Sequence, residues 1–234
     1  MATTYLTHTH GSAATLSTKG TFSCWIKRSA VAGEQVIFTG NDGSNRDFVR
    51  FESSSILRTR GCAGAWDLQT TQVFRDSNAW YHIVVSVDTT QGTAANRVKL
   101  YVNGTQVTSF AAASYPSQNA DFSVNNNIAQ YIGSWGATGS EFFDGYLSDV
   151  HFIDGQALTP TSFAEEFNGV WTPKAFSGSY GTNGYQLKFG TSTAVGDDTG
   201  GGNNDWAPLG FTYASVSASS GIYTSSGRIE SIFD

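Results

Sequence analysis

Charged residues are scarce in this chain. Asp, Glu, Lys and Arg make up 14% of its 234 residues, whereas an average soluble domain contains about 25%. The polar surface must therefore consist largely of uncharged side chains, and glycine at 26 positions supplies many possible turns. With a net charge of −6, the chain lacks the basic footprint of a nucleic-acid-binding protein and is poorly suited to an anionic membrane surface.

Cysteines, leader sequences and long apolar runs are equally limited. Cys24 and Cys62 form no disulfide framework and match no zinc-binding spacing, and we expect Cys24, which lies in an apolar run, to be a core residue. The first residues show neither the basic nor the apolar region of a secretory signal. No apolar run approaches the ~18 residues of a membrane span. The sequence thus predicts a protein without a signal peptide and without membrane insertion.

What the chain does contain is a pattern of apolar residues with a period of two. In "TFSCWIKRS", Phe22, Cys24 and Ile26 alternate with residues of the opposite face. In "RVKLYVNGTQVTSF", the pair Asn103-Gly104 has the composition of a type I′ hairpin turn. Short strands that recur with turn signals between them indicate an antiparallel sandwich or barrel.

One short helix is predicted near residue 160. Thr159 can cap it, Pro160 suits the first helical position, Phe163 and Phe167 are one turn apart, and 168–169 (Asn-Gly) can end it.

From residue 171 the composition changes to glycine, serine and threonine with isolated aromatic residues. We therefore expect a jelly-roll domain over 1–170 and an irregular extension over 171–234, which packs on that domain or on a partner. The last residues, "GRIESIFD", are apolar enough to dock as a strand.

Five segments in order resemble a known family: "TFSCWIKRS", "WYHIVVSVD", "RVKLYVNGTQV", "YIGSWG" and "FFDGYLSDVHFIDGQALTPTSFAEEF". Together they resemble the concanavalin A-like, laminin-G-type jelly roll over roughly residues 18–170. The resemblance implies an all-β fold of two antiparallel sheets. It implies little about function, because function depends on sites that differ among proteins of one fold.

A narrower resemblance concerns residues 5–29, 154–190 and 197–206. These segments are similar to structural proteins of tailed bacteriophages. The resemblance implies a non-enzymatic virion protein, displayed as a capsid decoration or small fibre, assembled in the host cytoplasm and bound to a capsid or tail protein. It also implies a homo-oligomer. Two other functions stay open: a lectin that binds a host-surface glycan, and a glycan hydrolase.

The hydrolase alternative depends on carboxylates. Glu141, Asp144 and Asp149 are spaced by three and five residues, so a regular strand would not place all three on one face. Asp149 and His151 do share a face, either as a pair for base chemistry or, as we expect, as solvent-facing residues outside a wall formed by Val150. No catalytic residue is therefore assigned.

Calcium is the cofactor that the laminin-G resemblance allows, in a loop that offers carboxylate and carbonyl oxygens. The first candidate loop, "GNDGSNRD", contains Asn41, Asp42 and Asp47 as ligands. The second, "GDDTGGGNNDW", offers further oxygens at residues 197–205. The alternative is that both loops are rich in Asn, Asp and Gly because these residues favour turns.

Aromatic and histidine residues provide the last candidates. Trp66, in a turn-like context, is the best candidate for an exposed residue that stacks on a sugar, with Trp135 and Tyr146 as further candidates. The alternative is a core position, which is the more common one for tryptophan in a sandwich. His8 and His10 form H-x-H. In trimeric phage fibres such pairs surround an axial metal ion, and the alternative is two exposed polar side chains on a terminal strand.

Overall fold

The computed structural model describes residues 4–41, 46–62, 65–137, 140–189 and 195–211. Within these ranges the regular structure consists of sixteen strands and three one-turn 3₁₀ helices. No helix in the described part of the chain is long and apolar enough to cross a membrane. The strands, in chain order, are β1 (Tyr5–Thr9), β2 (Lys19–Arg28), β3 (Gln35–Asn41), β4 (Arg46–Phe51), β5 (Ile56–Gly61), β6 (Trp66–Val73), β7 (Tyr81–Asp88), β8 (Val98–Val102), β9 (Thr105–Gln106), β10 (Phe110–Ser114), β11 (Ala129–Ile132), β12 (Gly145–Asp154), β13 (Ala164–Phe167), β14 (Val170–Pro173), β15 (Tyr185–Leu187) and β16 (Ala207–Leu209).

Two antiparallel sheets form a sandwich. Sheet A has the order β10-β6-β5-β4-β3-β11-β1-β16, and sheet B has the order β15-β12-β2-β7-β8-β9. Apolar side chains of both sheets meet in one core. The predicted antiparallel sandwich is therefore confirmed.

The period of two places side chains as the sequence predicted. Phe22, Cys24 and Ile26 of β2 all lie in the core between the sheets. Asn103 and Gly104, between β8 and β9, have φ of 48° and 79°, which is the positive φ that both central residues of a type I′ turn require.

The predicted helix near residue 160 is wrong beyond its first turn. Pro160–Ser162 forms a 3₁₀ turn, and β13 and β14 then pair as a hairpin in which Phe167 lies opposite Val170. Residues 168–169 both have positive φ. The Asn-Gly pair that could end a helix acts here as a hairpin turn, because the residues on either side of it pair as strands.

The extension supplies one strand to each sheet. β15 pairs with β12 in sheet B, and β16 pairs with β1 in sheet A. Tyr185 of β15 and the nearby Trp206 are buried in the core. The segment "GRIESIFD", for which docking as a strand was predicted, lies outside the described residues.

Candidate functional site

The outer face of sheet B is covered by a third layer. The covering segment, residues 158–184, begins after β12 and includes the β13–β14 hairpin. Phe163 and Tyr180 of this segment pack on Val84, Tyr101 and Ile153 of the sheet in a second apolar cluster. The face of β12 opposite the core is therefore inside the protein.

A β-bulge in β12 sets the positions of its functional side chains. Ser148 pairs with Trp25, but His151 pairs with Ser23, so two residues of β12 lie opposite one of β2. Asp149, at the bulge, has φ of 49°. An extra residue reverses the alternation of side chains along a strand. Beyond the bulge, Val150 therefore points into the core and His151 points away from it.

Asp149, His151 and Tyr180 form a buried polar chain. His151 Nε2 lies 3.0 Å from Asp149 Oδ2, with the carboxylate off the ideal N–H direction, and His151 Nδ1 lies 3.0 Å from the Tyr180 hydroxyl. Gln186 Nε2 donates to Asp149 Oδ1 at 2.8 Å. His151 is only 1% exposed, so the expectation that it faces solvent is wrong: the covering segment lies over it.

Burial and hydrogen bonding oppose each other at Asp149. Burial alone would raise the pKa of this carboxyl group, but hydrogen bonds from His151 and Gln186 and the charges of His151 and Lys188 outweigh it and lower the pKa. Asp149 is therefore an ionised acceptor with both oxygens engaged.

A second histidine fixes the hairpin. Trp171 Nε1 donates to His82 Nδ1 at 3.1 Å, so Nε2 of the neutral ring carries the hydrogen and donates to Ser23 Oγ, 2.9 Å away. Burial, together with the charge of His151, lowers the pKa of His82 to about 3. His82 thus stays neutral and connects the sheet to β14.

A groove of about 920 Å³ opens between the covering segment and the edge of sheet B. Aromatic rings, amide and hydroxyl groups, one carboxylate and two amines surround it. It is lined by Ser148, Asp149, Phe167, Thr172, Pro173, Lys174, Ala175, Phe176, Ser177, Gly178, Tyr180, Gln186, Lys188, Thr199 and Gly200. Such a mixture of apolar walls and a few fixed polar groups is typical of a small-ligand site.

The three carboxylates of the hydrolase alternative are not brought together. Glu141 Oε2 accepts from Arg50 Nη1 at 2.8 Å on the outer face of sheet A, whereas Asp149 lies on the outer face of sheet B. Asp144 is exposed beyond the start of β12. Glu141 and Asp149 are thus on opposite sides of the sandwich and cannot act as one acid–nucleophile pair.

Trp66 is not at the surface. It is 1% exposed and packs in the core with its ring 5.5 Å from that of Phe122 and against Gly61. The expectation of an exposed, sugar-stacking Trp66 is wrong, because β6 turns this side chain toward sheet B. Trp135 and Tyr146 are half-buried, at different surfaces, and neither lines the groove.

The first candidate calcium loop lies at the β3–β4 turn. Asn41 Nδ2 donates to the Trp135 carbonyl at 3.1 Å, and Asp47 Oδ2 accepts from the Val124 amide at 3.0 Å. Asp42 lies outside the described residues. Within the described ranges no group of three or more His, Cys, Asp or Glu is placed to hold a metal ion. Calcium at Asn41, Asp42 and Asp47 stays a prediction.

The second loop is organised by one of its own carboxylates. Asp198 Oδ1 accepts from the amides of Gln186 and Gly200, and Oδ2 accepts from those of Gly202 and Asn204. The Asp198 amide in turn donates to Asp205 Oδ1 at 2.8 Å. Four N–H donors occupy this carboxylate, which makes it a structural centre of the loop.

His8 and His10 do share a face, with ring centroids 4.9 Å apart. The expectation of two exposed side chains is wrong for His10, which is fully buried. His8 Nδ1 donates to the Asp205 carbonyl at 2.8 Å, and its ring lies 5.5 Å from that of Trp206. Residues near β16 therefore cover the pair, and metal binding between protomers stays a prediction.

Sequence reasoning missed the groove. Phe176, Tyr180, Gln186 and Lys188 all lie in the extension, which the composition marked as irregular. The available signal was the series of isolated aromatic residues in a glycine- and serine-rich segment, since such residues need a surface to pack against.

Comparisons with known proteins agree with this architecture. The candidate carbohydrate-binding protein of Bacteroides ovatus superposes with a TM-score of 0.61 at 18% identity, over 89% of this chain and 58% of its own. The chain thus spans less than two thirds of that protein, and the likeness shows the fold alone.

Two further solved structures give lower TM-scores. A heptameric SAP-like pentraxin of Limulus polyphemus gives 0.48 at 17% identity, over 68% of this chain and 72% of that one. Domains LG4-5 of the mouse laminin alpha1 chain give 0.40 at 13%, over 74% and 47%. No curated protein matches the sequence.

A family profile gives the assignment. The laminin G profile of the concanavalin A-like lectin/glucanases superfamily matches residues 1–163, which include β1 to β12 and thus most of both sheets. The chain belongs to the concanavalin A-like lectin/glucanases superfamily.

Proposed function

We propose that this protein is a non-catalytic binding module that holds a carbohydrate in the groove beside β12 and β15. The groove itself is the observation on which the proposal rests. Except for Ser148 and Asp149, its lining follows residue 163, beyond the region that matches the family profile. Family membership therefore supports the scaffold, and the residues of the extension support the site.

The chemistry of the lining suits a sugar. Phe167 offers an aromatic face for the C–H side of a pyranose ring, Phe176 and Tyr180 form an apolar wall, and Ser177 and Thr199 offer hydroxyl groups for those of the sugar. Phe167 is 64% exposed, so its ring is available at the rim.

The groove is also held in place before a ligand arrives. The Tyr180–His151 and Trp171–His82 hydrogen bonds fasten the covering segment to sheet B at two points. A preformed site binds more tightly because less conformational entropy is lost on binding.

The number of carboxylates in the groove favours binding over hydrolysis. Glycoside hydrolysis uses two carboxyl groups on either side of the scissile bond. Among the described residues that line the groove, Asp149 is the sole carboxylate, and its oxygens already contact His151 and Gln186.

The test is a glycan array followed by titration of the best ligand. We expect saturable binding that Phe167→Ala weakens by about tenfold, since one stacking contact contributes about 1–2 kcal/mol. Leu209→Ala is the matched control, because Leu209 is 41% exposed on β16 and does not line the groove. Absence of binding to all glycans would overturn the proposal, and release of reducing ends would overturn its non-catalytic part.

We further propose that the module is displayed on a bacteriophage particle, as a capsid decoration or small fibre. Support comes from the resemblance of residues 5–29, 154–190 and 197–206 to phage structural proteins. The outer strand β10 offers a contact surface for another virion protein or a second copy, because its residues 111–114 are exposed and uncharged. Mass spectrometry of purified particles tests this setting: a copy number near that of the major capsid protein means decoration, a few copies mean a fibre, and absence from particles overturns it.

A further inference from the structure

We infer that the groove selects acidic glycans, in which an anionic sugar unit lies between the amines of Lys174 and Lys188. This inference rests on the proposed carbohydrate-binding function and specifies its ligand class. It follows from the distribution of charge around the groove.

The groove is a positive site on an acidic protein. Its lining contains two lysines and one aspartate, while the whole chain has a net charge of −6. Both oxygens of Asp149 have protein partners: Oδ2 lies 3.0 Å from His151 Nε2, and Oδ1 accepts from Gln186. The lining therefore has a net positive charge, from two amines and one carboxylate whose oxygens are already engaged.

Neither amine is engaged elsewhere in the described structure. Arg50 and Arg58 are paired with carboxylates on sheet A, and Lys19 is paired with Asp88. No ion pair of Lys174 or Lys188 is found in the described ranges. Both amines are therefore available to form an ion pair with a ligand.

The two lysines are also held at defined places. The backbone amide of Lys174 donates to the Phe163 carbonyl at 2.9 Å, which fixes this residue in the covering segment. Lys188 directly follows β15, which pairs with β12. The two lysines thus belong to the two walls of the groove, and the inferred anionic group lies between them.

The ligand class follows from combining these amines with the aromatic lining. The exposed ring of Phe167 suits the face of a sugar ring, and an ammonium group binds an anion as a point charge without demanding one geometry. A uronate or sialate carboxylate and a sugar sulfate share this chemistry. The inference therefore concerns the negative charge on the glycan, and the source of that charge is determined by experiment.

The experiment compares one oligosaccharide backbone in three forms: a uronate, its carboxyl-reduced neutral counterpart, and a sulfated derivative of that counterpart. We expect the anionic forms to bind at least about tenfold more tightly than the neutral form, since charge-assisted hydrogen bonds are roughly twice as strong as neutral ones. Preference between uronate and sulfate then identifies the anion.

Lysine variants locate the effect. Lys174→Gln and Lys188→Gln should each remove most of the preference for the anionic forms and reduce its dependence on salt. Lys99→Gln is the matched control, because Lys99 lies on β8 and does not line the groove. An equal loss in Lys99→Gln would mean general charge attraction and would overturn the inference.

Failure of the inference and failure of the proposed function give different results. Equal binding of neutral and anionic forms, unchanged in the lysine variants but weakened by Phe167→Ala, overturns the acidic-glycan inference and leaves the carbohydrate site standing. Absence of binding to every form overturns the proposed function itself.

Discussion

His151 Nδ1 and the Tyr180 hydroxyl lie 3.0 Å apart, which connects strand β12 to the segment that covers it. With Nε2 of His151 directed toward Asp149, Nδ1 is the acceptor and the tyrosine hydroxyl donates. One hydrogen bond therefore both fastens the covering segment and orients the imidazole toward the carboxylate beside the groove.

Removing that hydroxyl is expected to destabilise the protein. Tyr180→Phe leaves the buried Nδ1 of His151 without its donor, at a cost of about 1–2 kcal/mol in the free energy of unfolding. Denaturant titration followed by tryptophan fluorescence measures this change. Tyr101→Phe is the control, because the Tyr101 ring packs in the same cluster and no hydrogen bond of its hydroxyl is found among the described residues. Equal losses in the two variants would contradict a specific role for the Tyr180 hydroxyl.

Stability is expected to fall as the pH decreases from about 6.5 to 4. Burial lowers the pKa of His82 to about 3 and that of His10 to about 4, whereas both titrate near 6.5 in the unfolded chain. Within this window the unfolded state binds more protons, so each histidine contributes a slope of up to about 1.4 kcal/mol per pH unit. Below about pH 4 the lowered pKa of Asp149 and of Asp154 adds a further loss, because stability from such carboxylates disappears as they become protonated.

A single variant separates the histidine contribution from the rest. His10→Leu removes one buried imidazole, and the slope of the unfolding free energy between pH 4 and 6.5 should decrease by about one histidine's share. The slope is compared, and not the absolute stability, because the substitution also changes packing. An unchanged slope would show that His10 is not held neutral by burial.

Trp66 is expected to act on stability and not on ligand binding. Trp66→Ala removes a fully buried indole and should cost about 3–5 kcal/mol of unfolding free energy. Trp135→Ala is the contrast, because Trp135 is half-buried and its contact with the Arg50 guanidinium is worth about 0.5–1 kcal/mol. The conservative variant Trp66→Phe should keep the glycan affinity of the wild type in its folded fraction, and a specific loss of affinity there would contradict the core position.

Asp47 is expected to stabilise the protein without a metal ion. Asp47→Ala leaves the amide of buried Val124 without its acceptor and should cost about 1–3 kcal/mol, in EDTA as well as in CaCl₂. Asp47→Asn keeps an oxygen acceptor and should lose less. The calcium prediction adds a separate requirement: CaCl₂ should raise the unfolding midpoint of the wild type but not that of Asp47→Asn. An unchanged midpoint of the wild type would remove calcium from Asn41, Asp42 and Asp47.

The sequence was sufficient for most of the sandwich because strand faces depend on local alternation. Phe22, Cys24 and Ile26 point inward as predicted, and Asn103-Gly104 turns as its composition requires. The same reasoning failed at 168–169, where an identical dipeptide is compatible with either a helix end or a hairpin, and only pairing between β13 and β14 decides between them.

The candidate site could not be predicted from local sequence patterns, for a different reason. Its contacts join residues far apart in the chain, such as Asp149 with Gln186 and Trp171 with His82. The bulge at Asp149 places a non-glycine residue at positive φ, for which composition offers no signal. Trp66 was misplaced because its neighbouring residues are turn-like, while its burial depends on Phe122.

The division of β15 and β16 between the two sheets has a consequence for folding during synthesis. β1 can pair with β11 as soon as residue 132 is available, but its other side waits for residues 207–209. β12 waits in the same way for residues 185–187. On the ribosome, which adds residues in order, β1 and β12 therefore remain edge strands until β16 and β15 are made. Unpaired edges invite association with other chains, so β1 and β12 are open to such association during that interval.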